Sequence, residues 1–133
     1  MIGIIIVTHS NLSEALIKTA EMIIGTQQSL VPISFDASEG LDDLKDKVKK
    51  AIDGINSKEG VLIFTDMFGG STSIVSSYFL SSNVEVITGV NLPMLLEAVL
   101  NRENITNVKE LTKLVIEKSK KSIVSVSDIH KIC

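Results

Sequence analysis

Three sets of residues in this 133-residue chain have side chains and spacing suited to chemistry. His9 follows an uninterrupted apolar run from Ile2 to Val7, and a neutral imidazole offers a nucleophilic nitrogen near pH 7. Asp66 follows a second such run, Val61 to Phe64 with Thr65, and Gly69-Gly70-Ser71 comes soon after it. Together they suit a phosphoryl group. One ring nitrogen accepts it, while a carboxylate on the other nitrogen fixes the tautomer and stabilises the cation that develops, as the acid of a catalytic triad does. The Gly-Gly-Ser turn supplies backbone N–H groups and the Ser71 hydroxyl for the equatorial oxygens. Each part also has a plainer reading: a structural His, a turn or cap Asp, and Ser71 as an N-cap. The hydrogen bond that discriminates is Asp66 to His9.

These residues meet only if the elements before them lie side by side. Continuous apolar runs alternate with helical spacing along the chain, which predicts an α/β fold with a mostly parallel, doubly wound sheet. Ile2 to Val7 reads as a central strand covered on both faces. Leu30 to Phe35 reads as a second strand, placed at an edge because Pro32 cannot donate to a ladder. Val61 to Phe64 and Val84 to Val90 supply the third and fourth. In the order 2-1-3-4, His9, Asp66 and the glycine turn share the carboxyl edge of neighbouring strands, where such sheets bind ligands.

The connecting helices are legible too. The first has Asn11 or Ser10 as its N-cap, a capping box between Asn11 and Glu14, and Gly25 as its end. The second is amphipathic from Leu41 to Ile55, with its charged face in solvent. A third runs from about Thr72 to Leu80, a short one from about Met94 to Leu100 after a turn at Asn91-Leu92-Pro93, and a longer one from about Val108 to Lys121. Ile123 to Val126 is expected as a fifth strand, of uncertain direction or paired with another subunit. The expected organisation is one domain over 1–133, with a core to 126 and a loosely held tail from 127, in which His130 is solvated and Cys133 is an exposed thiol.

Composition narrows the function classes. Thirteen basic against 16 acidic side chains give a net charge of −3, which argues against a nucleic-acid partner. Arg102 is the only arginine, so no Arg cluster grips a phosphate in bidentate fashion. One Cys and two His argue against a disulfide or a zinc site and agree with a reducing compartment. There is no Walker or dinucleotide glycine motif, so ATP is disfavoured as donor and no cofactor is expected. No segment approaches the roughly 18 apolar residues of a membrane span, and the N-terminus lacks a secretory signal. The expected location is the cytoplasm. Met67 and Phe68, two large apolar residues in a polar loop, read either as a docking surface or as a lid packed inward.

Thr8-His9, Asp66-Met67-Phe68-Gly69-Gly70-Ser71 and Gly89-Val90-Asn91-Leu92-Pro93-Met94-Leu95-Leu96-Glu97 make the chain recognisable. It resembles the IIA component of the mannose family of the sugar phosphotransferase system, over roughly residues 2 to 126. The resemblance implies that His9 is phosphorylated on Nε2 by the histidine-containing phosphocarrier protein and passes the group to a IIB component. That component feeds the membrane IIC and IID subunits, where sugar selectivity resides. It implies Asp66 as the partner of Nδ1, Gly70 and Ser71 around the phosphoryl group, and a homodimer that exchanges its last strand. Two residues depart from the family pattern: Phe68 stands where Trp is frequent, and Thr72 where Pro often follows the Ser. The chain also ends without a IIB domain, so the acceptor is expected to be a separate polypeptide. Other readings are the phosphocarrier subunit of a dihydroxyacetone kinase and a regulatory module read through its phosphorylation state. A receiver domain phosphorylated on Asp66 is disfavoured, because the first strand ends in Thr8-His9 and not in an acidic pair.

Overall fold

The computed structural model describes residues 1–132. Four parallel strands, β1 (Gly3–His9), β2 (Leu30–Phe35), β3 (Val61–Thr65) and β4 (Val84–Ile87), form one sheet in the order β2-β1-β3-β4. Six helices accompany them: α1 (Leu12–Ile24), α2 (Leu41–Ile55), α3 (Ser71–Ser77), α4 (Leu92–Asn101), α5 (Val108–Lys120) and α6 (Val126–Ile132). The expected α/β class and the 2-1-3-4 order are both present. None of the described helices is long and apolar enough to cross a membrane.

The unbroken apolar runs follow from burial on both faces. Successive side chains of a strand point to opposite sides, so Ile4 and Ile6 of β1, with Leu62 and Phe64 of β3, pack under α1, α4 and α5. Ile5, Val7 and Ile63 pack on the other side under α2 and α3, against Leu44, Val48 and Val75. β1 from Gly3 to Val7 and β3 from Val61 to Phe64 are therefore apolar at every position. Ile6 is opposite Phe64 and Val7 opposite Thr65, and this register brings the residues just past both strands to the same edge. β2 is an edge strand, as Pro32 predicted.

Several local expectations are corrected. Asn11 makes no side-chain cap to α1. Thr8, the residue before His9, accepts instead from the Ser13 N–H at 2.8 Å, so the strand end supplies the cap and the Asn11–Glu14 box does not form. Asn91-Leu92-Pro93 is no separate turn: Asn91 caps α4 by accepting from Met94 N–H at 3.0 Å, with Pro93 in the first turn. There Pro costs nothing, because a first-turn N–H has no intrahelical acceptor. β4 stops at Ile87, three residues early, and Val90 N–H then donates to Thr65 O at 3.0 Å.

The largest difference is at the carboxyl end. Residues 123–125 join no ladder within the chain, and Val126 opens α6, so no fifth strand forms among the described residues and the expected tail is helical. A strand needs a neighbour to complete its hydrogen bonds, and none within the chain reaches these residues. The side chain of His130 and all of Cys133 lie outside the described residues.

Candidate functional site

The site begins where β1 ends. Thr8 is fully buried and ties its hydroxyl to the start of α1. The chain must turn at once, and Ser10 adopts a left-handed conformation, φ +53°, held by its N–H donating to Phe35 O at 3.0 Å. A non-glycine residue there costs about 1–3 kcal/mol and marks a position that the surroundings over-determine. The result is to stand His9 at the rim of the sheet, its side chain 45% exposed. The ring packs against Phe35 in a T-shaped arrangement, 5.9 Å between centroids and 71° between planes. His9, Ser10, Phe35, Asp36 and Ala37 line an open cleft of about 360 Å³.

Asp66 approaches from β3 with both carboxylate oxygens occupied. Oδ2 accepts from the His9 backbone N–H at 2.9 Å and lies 2.7 Å from His9 Nδ1. Oδ1 accepts from Met67 N–H at 3.1 Å and from the Thr72 hydroxyl at 2.6 Å. Burial pushes the Asp66 carboxyl up, but the donors from Thr72 and His9 and the charge of a protonated imidazole outweigh it and hold it below its usual value. An ionised carboxylate only accepts hydrogen bonds. Nδ1 must therefore carry the proton, and the lone pair of a neutral ring lies on Nε2, which makes no hydrogen bond among the described residues. The structure thus brings together the imidazole and carboxylate that the sequence singled out, in the tautomer that exposes the distal nitrogen.

The glycine turn completes this edge. Gly69 has φ +81°, a conformation that side chains resist. Gly70 is needed for space: a Cβ there would lie 3.1 Å from Met67 Cγ and 3.3 Å from His9 Cε1, the ring carbon between the two nitrogens. Gly70 is the N-cap of α3 and Ser71 its first residue, so Ser71 does not have the capping role of the plainer reading. Its hydroxyl makes no hydrogen bond among the described residues. Ser73 pins the loop, donating to Met67 O and accepting from the Thr65 hydroxyl at 2.7 Å. Met67 is 54% exposed and Phe68 85% exposed, so Phe68 faces solvent and does not pack inward as a lid. A groove of about 410 Å³ runs from Phe68 between α3 and β4, past Ile74, Leu80 and Val86.

Thr72 is the residue that sequence reading missed, having registered only as a departure from a family pattern. The available signal was a hydroxyl one residue past a Gly-Gly-Ser turn, close enough to fold back on the Asp before it. Arg102, read only as the absence of an Arg cluster, lies at the opposite end of the sheet and takes no part in this site.

Comparison with known proteins agrees with this arrangement. Residues 3–116 match the family described as PTS system fructose IIA component. The chain is 34% identical over 124 residues to the PTS system mannose-specific EIIAB component of Escherichia coli (strain K12), covering 92% of this chain but 38% of that protein's length. It is 32% identical to the PTS system sorbose-specific EIIA component of Lacticaseibacillus casei, over 94% of this chain and 91% of that one. The crystal structure of phosphotransferase system component EIIA from Streptococcus agalactiae superposes with a TM-score of 0.88 at 34% identity, covering 96% of this chain and 99% of that one.

Proposed function

The chain belongs to the IIA components of the mannose family of the sugar phosphotransferase system, and from that premise we propose that it carries a phosphoryl group on His9 between a histidine-containing phosphocarrier protein and a IIB component. The observation that carries this reading is the 2.7 Å contact of Asp66 Oδ2 with His9 Nδ1, which leaves Nε2 unpartnered and exposed.

In the accepting step, the Nε2 lone pair forms a bond to phosphorus as the donor's N–P bond breaks, and that electron pair returns to the donor nitrogen. Positive charge develops on the His9 ring, and Asp66 stabilises it through Nδ1–H, as the triad carboxylate stabilises its imidazolium. The amides of Gly69 and Gly70 and the hydroxyl of Ser71 surround the equatorial oxygens, with dipoles in place of guanidinium ions. Weak holding suits a group that must be handed on nearly isoenergetically. The same steps run in reverse to the IIB acceptor. Met67 and Phe68 form the apolar part of the docking surface beside the reacting nitrogen.

This reading places the protein in the cytoplasm, as a homodimer in which Ile123 to Val126 pair with a second copy. Ile123, Val124 and Val126 are exposed in the single chain, and β4 is an edge strand. Sedimentation of the intact chain tests that part: a monomer at micromolar concentration removes it.

The function is tested by incubating the protein with phosphoenolpyruvate, enzyme I and the histidine phosphocarrier. The expected result is one acid-labile, alkali-stable phosphate on His9, absent from His9→Ala and discharged by a IIB component. Incorporation that persists in His9→Ala, or no incorporation from an active donor system, refutes it.

A further inference from the structure

Asp66 has more donors than orientation alone requires. Its Oδ2 is held twice by His9, through the backbone N–H and the ring, and its Oδ1 is already bonded by Met67 N–H. The Thr72 hydroxyl adds a fourth bond, the shortest of the set at 2.6 Å, from a side chain that is fully buried. A helical Thr ordinarily turns its hydroxyl to the carbonyl four residues back. Thr19 and Thr112 do so here, donating to Ala15 O and Val108 O, each at 2.8 Å. Thr72, in the first turn of α3, reaches across the glycine turn to the Asp66 carboxylate instead.

We propose that Thr72 is a positioning residue for phosphoryl transfer, its hydroxyl holding the Asp66 carboxylate toward His9 and drawing charge away from the oxygen that Nδ1 meets. This rests on the reading of His9 as the phosphoryl carrier. A carboxylate that accepts an additional hydrogen bond is a weaker base, so it stabilises the phosphorylated, positively charged ring less tightly. The group is then easier to pass on.

Two measurements on four proteins decide it. In the unphosphorylated protein, the side-chain carboxyl of Asp66 is titrated by carbon NMR in wild type, Thr72→Val, Thr72→Ser and Thr72→Pro. The valine variant, of nearly the same shape, is expected to raise the midpoint by about half a unit. Serine is expected to restore it and proline to match valine, since a first-turn position accepts Pro. His9 is the titratable side chain bonded to Asp66 among the described residues, and Asp36 lies across the cleft. Neither is altered in these variants.

The second measurement is the phosphoryl equilibrium with the histidine phosphocarrier. Thr72→Val is expected to shift it about threefold toward this protein and to slow onward transfer to a IIB component, with Thr72→Ser close to wild type. Loss of packing alone moves neither the titration nor the equilibrium in this serine-rescued pattern. An unchanged Asp66 midpoint in a folded Thr72→Val protein overturns the proposal, whatever becomes of the carrier reading. A wild type that takes no phosphoryl group defeats the carrier reading and with it any role in transfer, while the titration still decides the effect of Thr72 on Asp66. Equal phosphoryl equilibria in wild type, valine and serine proteins show that the bond serves only the fold.

Discussion

Each end of the sheet holds a largely buried charged group, and the two are used in opposite ways. At the carboxyl end, Asp66 is mostly buried but its partner His9 is 45% exposed, and one ring nitrogen is left without a partner. At the amino end, Arg102 is 1% exposed and surrounded by acceptors. It donates to Ile2 O at 3.3 Å, Ser29 O at 2.9 Å, Gln28 O at 2.5 Å and Gln27 Oε1 at 3.4 Å. Ile2 and Ser29 immediately precede β1 and β2, so the guanidinium ties the starts of two strands to the loop at Gln27 and Gln28. Burial pulls Arg102 below its ordinary value, with Glu103 opposing. A charge with four of its five N–H donors bonded to the chain is architecture; one whose partner keeps a free lone pair at the surface is poised for chemistry.

Substitutions at each end should separate these roles, and the largest effect is expected at Asp66. Asp66→Asn keeps the shape but removes the charge that stabilises the ring, so the rate of phosphoryl acceptance measured by rapid quench should fall by about 10²-fold or more. An acceptance rate within twofold of wild type would mean that the pair is merely structural.

Arg102→Leu should do the reverse. It removes the guanidinium's four hydrogen bonds to Ile2, Gln27, Gln28 and Ser29, and urea unfolding should show a loss of about 3 kcal/mol, while the folded protein still accepts a phosphoryl group at the wild-type rate. A loss of transfer with unchanged stability would erase the distinction between the two ends.

Gly70→Ala sharpens the picture on a smaller scale. The added methyl group must displace Met67 or the His9 ring by a few tenths of an ångström, so acceptance should slow by roughly tenfold with less than about 1 kcal/mol change in stability. The two are read on the same sample by quench and denaturant titration.

The smallest expected effect is on acid stability. The folded pKa of Asp66 is depressed, so its contribution is present in full above the ordinary value of 3.8 and is lost as pH falls through the lower folded value. Unfolding free energies measured across that window should fall less steeply in Asp66→Asn than in wild type. Equal slopes would show that Asp66 gains nothing from its donors on folding.

Much of this was legible in advance, for reasons that differ by residue. β1 and β3 have no polar alternation because both faces are covered, and an unbroken Ile-Val run too short for a helix suits a strand buried on both sides. His9 and Asp66 could be paired on paper because a parallel sheet in the order 2-1-3-4 puts the ends of its two central strands together. The cap of α1 was misread because Asn11 is a good N-cap by type, whereas Thr8 reaches the helix from the strand before it. Asn91-Leu92-Pro93 looked like a turn and proved to be a helix start. Thr72 was invisible as a donor because nothing local directs a hydroxyl away from its usual carbonyl and across a glycine turn.

The sequence by itself determined the strands, their mostly parallel arrangement and the residue types that follow them, because periodicity and strand-end placement are properties of short segments. Tertiary structure decided which hydrogen bond each polar group makes. The two bonds from His9 to Asp66, the left-handed Ser10, the carbonyls around Arg102 and the strandless segment at 123–125 depend on distances between segments far apart in the chain. Local propensity carries no record of those distances, and packing sets them to within tenths of an ångström.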